Sequence, residues 1–280
     1  MAAVLEWGAT HRRDFPWRRT RDPWHILSSE VMLQQTQAAR VVEPFERWVT
    51  AFPDAPSCAA SGPAAALLSW EGLGYNRRAL SLQRAAVMVT ESHGGDVPSD
   101  RGVLEGLPGV GPYTARAVMV FAFEADVGVV DINVARVLSR AVAGRRLGAT
   151  EAQVLADRLV PAGRSWAYNQ TLFDIGALHC RATNPDCGSC PLRTRCAWAR
   201  SGWATPDPAA RSTARSRFAG SDRQGRGRIV GALRRGPVEA RDLGSASGWD
   251  DDPDRAHHVA QGLVADGLAA WGPGGVLRLP

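Results

Sequence analysis

The stretch EGLPGVGPYTARAVMVFAFEADVGVVDINVARVL, residues 105–138, contains a glycine-rich turn followed by two helical segments. The LPGVG run, residues 107–111, predicts a hairpin, because glycine permits positive φ angles and close approach of the backbone. A helix is predicted over residues 112–123, and the free N–H groups at its start can bind an anion. The hairpin therefore predicts a phosphate contact, although a plain tight turn between two helices would explain LPGVG as well.

Asp131 lies between a short extended run, residues 127–130, and a second helical pattern, residues 132–143. Aspartate is a favoured N-cap, since its carboxylate accepts hydrogen bonds from the free N–H groups of the first turn. The cap fixes the position of the carboxylate and favours its negative charge. Asp131 can therefore be both a helix cap and a catalytic anion.

Glu30 is the second candidate carboxylate, in a helix that is predicted to begin at Asp22-Pro23. It follows Ile26 by four residues and Leu27 by three, so it shares their apolar face. A carboxylate on such a face is costly unless it is paired or protonated. A slightly rotated helix would instead leave Glu30 solvated. Two carboxylates in opposed environments are what a general acid and a stabilising anion require.

Charge and composition predict a polyanionic partner. The 280 residues include 33 basic and 28 acidic side chains, which give a net charge of +5 and an isoelectric point near 9.3. All the basic residues are arginines, because the sequence contains no lysine. No side chain can therefore form a Schiff base, and amine-based covalent catalysis would need the terminal amine. The length allows one large domain and one small domain.

The N-terminal residues, MAAVLEWGATHRRDF, have no apolar core of the kind found in signal peptides. No apolar run is long enough to span a membrane. We therefore expect a cytoplasmic protein, in which thiols stay reduced and clustered cysteines indicate a metal site.

Four cysteines form such a cluster with the spacing C-x6-C-x2-C-x5-C: Cys180, Cys187, Cys190 and Cys196. Zinc sites usually combine two short C-x2–4-C motifs, and this run has one. Four thiolates also suit a [4Fe–4S] cluster. The spacing alone leaves zinc and iron–sulfur open. Cys58 stands apart and is predicted to be a small core residue.

Three further segments bear on the domain organisation. Residues 51–61 and the glycine-rich run 70–76 are predicted to be loops. From residue 204 the chain becomes rich in Pro, Ser, Gly and Arg, which is typical of a linker. Beyond it, helices are predicted over 222–234, 237–243 and 254–266, with a hairpin around Gly272-Pro-Gly-Gly.

Five stretches together resemble the MutY-type adenine glycosylases of the helix-hairpin-helix DNA repair superfamily. They are SEVMLQQTQ from Ser29, WEGLGYNRRA from Trp70, LPGVGPYTA from Leu107, VVDINVARVL from Val129 and the four-cysteine run. Their order and separations match the family, and the cysteine spacing matches its [4Fe–4S] loop. The short tail resembles actinobacterial relatives that lack the Nudix-like domain.

The resemblance implies an all-α, two-lobed fold with an iron–sulfur loop and a small winged-helix-like domain. The implied domains are a helix-hairpin-helix glycosylase domain over 1–203 (a six-helix barrel over 23–133, and a cluster lobe over 1–22 and 134–203), a basic linker over 204–221, and a winged-helix-like domain over 222–280. The implied protein is a monomer in the bacterial nucleoid.

The implied activity is hydrolysis of the N-glycosidic bond of adenine mispaired with 8-oxoguanine or guanine in double-stranded DNA. Glu30 matches the general acid, Asp131 the anion that stabilises the sugar cation, and Asn133 a residue that orients them. Tyr113 matches an active-site tyrosine, where strand-cleaving relatives have lysine. A thymine or uracil mismatch glycosylase and a non-catalytic iron–sulfur DNA-binding protein are the alternatives.

The resemblance also implies the DNA contacts. Gln35, Thr36, Leu73 and Tyr75 match positions that probe and wedge the strand opposite the adenine. Gly109 and Gly111 of the hairpin would hold a phosphate, with a monovalent cation as in relatives. One departure is Ile132, because the family usually has glycine between the aspartate and the asparagine.

Overall fold

The computed structural model describes residues 1–203, 206–210 and 217–280, so part of the predicted linker, 204–221, lies outside the described residues. Within these ranges the chain is mostly helical, and no helix is both long and apolar enough to cross a membrane. The helices are α1 (Ala2–His11), α2 (Pro23–Leu33), α3 (Val42–Ala51), α4 (Ala55–Ser69), α5 (Arg77–His93), α6 (Arg101–Gly106), α7 (Pro112–Phe121), α8 (Ile132–Val137, continued by a π-helical turn, Leu138–Ala143), α9 (Ala149–Leu159), α10 (Ser165–Leu178), α11 (Ala197–Arg200), α12 (Asp222–Arg235), α13 (Leu243–Ser247) and α14 (Pro253–Ala265).

The chain divides into two compact units. The first unit comprises Met1–Leu27, Ser99–Gly106 and Val110–Thr213, and the second comprises Ser28–Pro98, Leu107–Gly109 and Ala214–Pro280. The C-terminal residues thus group with α3, α4 and α5. The expected division into a barrel over 23–133 and a cluster lobe stays a prediction.

The core of the first unit forms where α1, α8, α9 and α10 bury their apolar faces against one another. Its buried members are Val4, Val134, Val137, Leu138, Ala152, Ala156, Tyr168, Leu172 and Ile175. Close packing of α1 on α10 requires Gly8, since a Cβ added there would lie 2.0 Å from the Thr171 hydroxyl oxygen. This core supports the first turn of α8, where Asp131 lies.

A buried carboxylate attaches the N-terminal segment to α10. Asp174 has no exposed side-chain surface, and it accepts hydrogen bonds from Arg13 Nε at 2.7 Å and from Arg18 Nη1 at 2.7 Å and Nη2 at 3.0 Å. The Arg18 side chain is itself only 7% exposed. Both charges are therefore removed from water, and each depends on the other for compensation.

Replacing Asp174 with asparagine is expected to lower the free energy of unfolding by about 3–5 kcal/mol, because Arg18 would keep a buried, uncompensated charge. Urea titration followed by circular dichroism measures the change. Asp14→Asn is the matched control, since Asp14 pairs with Arg19 at an exposed position, and it should change stability little. Equal effects of the two substitutions would contradict this account.

Two helix starts show how far local sequence determines these elements. The predicted start at Asp22-Pro23 is confirmed, because α2 begins at Pro23 and Asp22 accepts a hydrogen bond from the His25 N–H at 2.8 Å. The predicted loop over 51–61 is wrong. Asp54 and Ser57 cap each other's backbone and start α4 at Ala55, and the helix kinks at Gly62, where φ is +77°.

In the second unit, α3 and α4 pack through two buried tryptophans. The rings of Trp48 and Trp70 meet edge to face, with their centroids 5.5 Å apart. Trp48 Nε1 donates to the Ser28 hydroxyl at 3.2 Å, and Trp70 Nε1 donates to the Gly74 carbonyl at 3.0 Å. The second bond fixes the loop that connects α4 to α5, which confirms the loop predicted over 70–76.

The C-terminal part of the second unit combines three helices with a small antiparallel sheet, which confirms the winged-helix-like expectation. Its strands are β1 (Val238–Glu239), β2 (Ala270–Gly272) and β3 (Val276–Arg278), in the order β1-β3-β2. Trp249 packs directly on α12 at Gly225, where an added Cβ would lie 2.0 Å from the indole ring. The helix predicted over 237–243 is wrong, since β1 and a single 3-10 turn precede α13.

Candidate active site

Asp131 caps α8 and is held in place by three hydrogen bonds. One carboxylate oxygen accepts from the backbone N–H groups of Asn133 at 2.9 Å and Val134 at 2.7 Å, and the other accepts from Asn133 Nδ2 at 2.7 Å. The predicted cap is thereby confirmed. An ionised carboxylate is a pure acceptor, so these three donors suit it. The structure brings Asp131 and Asn133 together as one fixed group.

Asn133 is fixed in turn by Arg136, one turn further along α8. Arg136 Nη2 donates to Asn133 Oδ1 at 2.7 Å and to the Gly176 carbonyl at 2.8 Å, and its Nε donates to the Cys180 carbonyl. Gly176 lets α10 approach closely, because a Cβ there would lie 2.8 Å from the Asn133 Cβ. The carboxylate is therefore connected through two side chains to the start of the cysteine-containing segment.

Ile132 and Tyr113 are two further positions that the sequence singles out. The side chain of Ile132 is 62% exposed, so the bulk that replaces the family's usual glycine points into solvent and leaves the cap intact. Tyr113 is the second residue of α7 and is half-buried. Both residues belong to the first unit, as Asp131 does.

Glu30 lies inside α2 and is only 4% exposed. Its neighbours on the helix, Ile26, Leu27 and Val31, are at most 2% exposed. The alternative of a solvated Glu30 is therefore wrong, and the shared apolar face is confirmed. Burial in such surroundings favours the protonated form of a carboxyl group. Glu30 belongs to the second unit.

Arg78 of α5 joins the end of α2 to the loop before α5. Its Nη1 donates to three carbonyls, those of Val31 at 2.9 Å, Met32 at 2.8 Å and Gln34 at 2.6 Å. Its Nη2 donates to the Thr36 hydroxyl at 3.1 Å and to the Gly74 carbonyl at 3.2 Å. Burial lowers the pKa of the Arg78 guanidinium to about 10, so it stays charged at neutral pH. One side chain thus fixes the residues that follow Glu30.

The predicted strand-probing residues occupy the two segments that Arg78 joins. Gln35 and Tyr75 have φ angles of +55° and +48°, in the left-handed region that non-glycine residues seldom adopt. Such backbone persists where the surroundings enforce it, often at binding sites. Tyr75 is 55% exposed, Thr36 is half-buried, and Leu73 is 3% exposed. Their contact with DNA stays a prediction.

The hairpin lies between α6 and α7. Gly109 has a φ of +81°, and a Cβ added there would lie 2.8 Å from the Ser81 Cβ, so glycine is needed both for conformation and for packing. The Gly109 carbonyl accepts a hydrogen bond from Gln34 Nε2 at 3.2 Å. Gly111 is the N-cap of α7, with Pro112 as its first residue. The phosphate contact predicted for Gly109 and Gly111 is untested.

The four cysteines of the C-x6-C-x2-C-x5-C run line one cavity in the first unit. Apolar side chains form much of its wall, including Val137, Ile175, Leu192 and Trp198. Arg140 spans one side: its Nη1 donates to Cys180 Sγ at 3.5 Å and to the Arg181 carbonyl at 2.7 Å, and its Nε donates to Asp207 at 2.8 Å. A buried cation beside clustered thiols suits an anionic occupant.

Cys58 lies apart from the four clustered cysteines. Burial raises the pKa of the Cys190 thiol to about 11 and also raises that of Cys187, as it raises that of Cys58 to about 12. Cys58 is fully buried in α4, which confirms it as a core residue. Within 1–203, 206–210 and 217–280, no three His, Cys, Asp or Glu side chains converge on a single-ion site. The four thiols instead surround a common cavity.

Comparison with known proteins assigns the family. Residues 28–161 match the HhH-GPD superfamily of base excision DNA repair proteins. An adenine DNA glycosylase of Mycolicibacterium smegmatis is 40% identical over 271 residues, which cover 95% of this chain and 90% of the relative. The chain belongs to the MutY-type adenine DNA glycosylases. An adenine DNA glycosylase of Mycobacterium tuberculosis is similarly related, with 41% identity over 99% of this chain and 92% of that one.

Solved structures confirm the helix-hairpin-helix fold of this MutY-type chain. A thermostable thymine-DNA glycosylase superposes with a TM-score of 0.68 at 32% identity, covering 71% of this chain and 94% of the other. Endonuclease III in a trapped covalent DNA intermediate superposes with a TM-score of 0.62 at 25% identity, covering 72% and 94%.

Sequence reasoning missed the three arginines that hold the candidate site residues and the cysteine cavity. Arg78, Arg136 and Arg140 each bind backbone carbonyls far away in sequence, and no local pattern specifies those partners. The sequence contains a weak indication that Arg136 and Arg140 are structural. They are spaced i, i+4 within an otherwise apolar helical run, where a guanidinium must find buried acceptors.

Proposed function

We propose that this chain is a monofunctional adenine glycosylase that acts on adenine opposite 8-oxoguanine or guanine in double-stranded DNA. The observation that carries the proposal is a pair of carboxyl groups in contrasting surroundings, in a chain 40% identical to an adenine glycosylase. Glu30 is buried on an apolar helix face, and Asp131 is held by three N–H donors. Carboxyl groups that differ in this way can take different roles in one reaction.

The reaction follows from the chemistry of adenine. As an anion adenine is a poor leaving group, so Glu30 donates a proton to N7 and the base departs neutral when the C1′–N9 bond breaks. The sugar then has oxocarbenium character, which the Asp131 carboxylate stabilises. Water adds to C1′ and gives its proton to the Glu30 carboxylate, which leaves an abasic site and restores the acid. Asn133 orients the carboxylate and the water, and Tyr113 lies beside the flipped base.

The proposal of a monofunctional enzyme rests on the absence of lysine from all 280 residues. Strand cleavage of the lyase type needs an amine that forms a Schiff base with the sugar. Tyr113 occupies the hairpin position where lyase relatives have lysine. We expect strand breaks only after hot alkali, and no protein–DNA adduct with borohydride. A borohydride-trapped adduct at neutral pH would contradict the proposal.

Gln35, Thr36, Leu73 and Tyr75 are proposed to contact the strand opposite the adenine. The hairpin is proposed to bind a phosphate through Gly109, Gly111 and the start of α7, with a monovalent cation between them. Weakening this contact should lower affinity for all duplexes alike and reduce the salt dependence of binding. The protein is proposed to work as a monomer in the bacterial cytoplasm, on nucleoid DNA.

The four cysteines are proposed to hold a [4Fe–4S] cluster through their thiolates. The shared cavity, its apolar wall and the cation of Arg140 support this. Bound iron would supply the positive charge that keeps these thiols ionised. The cluster is proposed to fix the segment that follows α10, and with it the backbone that Arg136 binds.

The Cys190→Ser variant is expected to lose most of the iron, because serine replaces one of four thiolates. The purified wild-type protein should contain about four iron atoms per chain. Colorimetric iron and sulfide determination measures both. Cys58→Ser is the matched control and should keep a full complement of iron. Equal iron in wild type and Cys190→Ser would contradict the assignment, as would zinc in place of iron.

A thymine or uracil mismatch glycosylase is the second candidate, favoured by the superposition on a thymine-DNA glycosylase. Glu30 within SEVMLQQT argues against it, because a buried acid suits the protonation of a purine leaving group. The test is chromatographic identification of the base released from A:8-oxoguanine and T:G duplexes. Release of adenine from the first supports the proposal, and release of thymine alone would refute it.

A further inference from the structure

Helix α12 contacts the loop between α4 and α5 through one arginine. Arg234 Nε donates to the Leu67 carbonyl at the end of α4 at 2.9 Å, and its Nη2 donates to Asn76 Oδ1 at 2.9 Å. Arg234 is half-buried, and this burial lowers the pKa of its guanidinium. The two bonds bracket the loop, since Leu67 precedes it and Asn76 is its last residue.

A second contact lies directly after this loop, at the start of α5. The carboxylate of Asp266, at the end of α14, is 13% exposed and pairs with Arg77, the first residue of α5, and with Arg226 of α12. The next residue, Gly267, lies against α5, where an added Cβ would be 3.5 Å from Arg84 Nη2. The C-terminal helices are therefore attached to the loop and to the start of α5.

The charge distribution shows that α14 is poorly suited to bind DNA itself. In a winged helix the third helix commonly enters the major groove. Here the start of that helix displays four exposed carboxylates, Asp250, Asp251, Asp252 and Asp254. Such a segment repels phosphates. Arg234, the arginine of this C-terminal part that contacts the α4–α5 loop, lies on α12 instead.

We propose that Arg234 and Asp266 are positioning residues through which the C-terminal part sets the enzyme's preference for the base opposite the adenine. They hold the loop between α4 and α5, which contains Tyr75. The Tyr75 side chain is 55% exposed, and its backbone has a φ of +48°. Arg78 fixes this loop from the α2 side and Arg234 from the α12 side. The inference rests on the proposed function, because it assumes that Tyr75 contacts the opposite strand.

The test uses the full-length chain and single-turnover excision of adenine opposite 8-oxoguanine and opposite guanine. Arg234→Met should lower the ratio of the two rates by about tenfold, the factor that corresponds to a lost charge-assisted hydrogen bond. Asp266→Asn should also lower this ratio, and it replaces Arg234→Met as the test variant if Arg234→Met does not fold. Arg235→Met is the matched control: Arg235 is exposed, donates to its own helix at the Gly231 carbonyl, and should leave the ratio unchanged.

A double-mutant cycle separates positioning from general stability. If Arg234 acts through the loop, the double variant Arg234→Met/Tyr75→Ala should have nearly the same ratio as Tyr75→Ala alone. A purely structural role would lower Tm and leave the ratio as in wild type. The His258→Ala/Gln261→Ala variant removes exposed side chains of α14 and should keep the wild-type ratio.

Three results would overturn the inference: an unchanged ratio in Arg234→Met and Asp266→Asn, independent effects of Arg234→Met and Tyr75→Ala, or a reduced ratio in His258→Ala/Gln261→Ala. The last would show that α14 reads DNA directly. A wild-type enzyme that releases no adenine would refute the proposed function. If the wild-type enzyme prefers adenine opposite 8-oxoguanine and both variants, Arg234→Met and Asp266→Asn, show the wild-type ratio, this inference alone is refuted.

Discussion

Glu30→Gln is expected to abolish adenine release while the protein still binds mispaired duplexes. Glutamine has the shape of glutamic acid and can donate a hydrogen bond, but it cannot transfer a proton to N7. General acid catalysis contributes a factor of about 10² to 10⁴, and the single-turnover rate should fall by at least this much. Fluorescence anisotropy with an A:8-oxoguanine duplex should show affinity close to that of wild type.

Glu43→Gln is the matched control for Glu30. The Glu43 side chain on α3 is 89% exposed and pairs with Arg47 in the same helix, so its replacement should change neither rate nor affinity. Thermal unfolding of both variants shows whether a loss of activity reflects a loss of structure. A Glu30→Gln protein that excises adenine at the wild-type rate would remove Glu30 from the role of acid.

Asp131→Asn is expected to reduce excision strongly, for a different reason from Glu30→Gln. Asparagine caps helices about as well as aspartate through its one carbonyl oxygen, so α8 and its contact with α10 should persist, while Asn133 Nδ2 loses its acceptor. The negative charge that stabilises the sugar cation is lost, and stabilisation of transition-state charge is usually the largest single contribution to catalysis. The rate should fall by a factor of about 10² to 10³, the range measured for one such stabilising group, with Tm near that of wild type.

Asp54→Asn provides the corresponding control, since Asp54 caps α4 through the Ser57 N–H in the way that Asp131 caps α8. It tests whether a cap substitution alone changes activity, and it should leave excision unaffected. Two outcomes would count against the role of Asp131: full activity of Asp131→Asn, or an activity loss in Asp54→Asn of similar size.

Short-range signals in the sequence were enough to place the candidate carboxylates. The cap at Asp131, the helix start at Asp22-Pro23 and the apolar face of Glu30 all depend on residues within one helical turn. The loop predicted over 51–61 is wrong because the prolines of this stretch do not prevent a helix from starting at Ala55. Proline is tolerated in the first turn of a helix, and Asp54 with Ser57 supplies the cap.

Long-range polar contacts could not be predicted in this way. Arg78 binds carbonyls more than forty residues earlier in the chain, and Arg234 binds acceptors more than 150 residues away. Nothing local distinguishes Arg234, which is half-buried, from its exposed neighbour Arg235. Strand β1 was missed because two residues, Val238 and Glu239, give too short a pattern to detect. The supporting residues of the site thus become visible only in the folded chain.

The most direct test of the central claim is the identity of the base that the wild-type protein releases in single turnover from A:8-oxoguanine, A:G, T:G and U:G duplexes. We predict free adenine from the first two, with the strand intact until alkali is added, and no adenine release by Glu30→Gln. Release of thymine or uracil from the mispairs with guanine, with adenine left in place, would contradict the account.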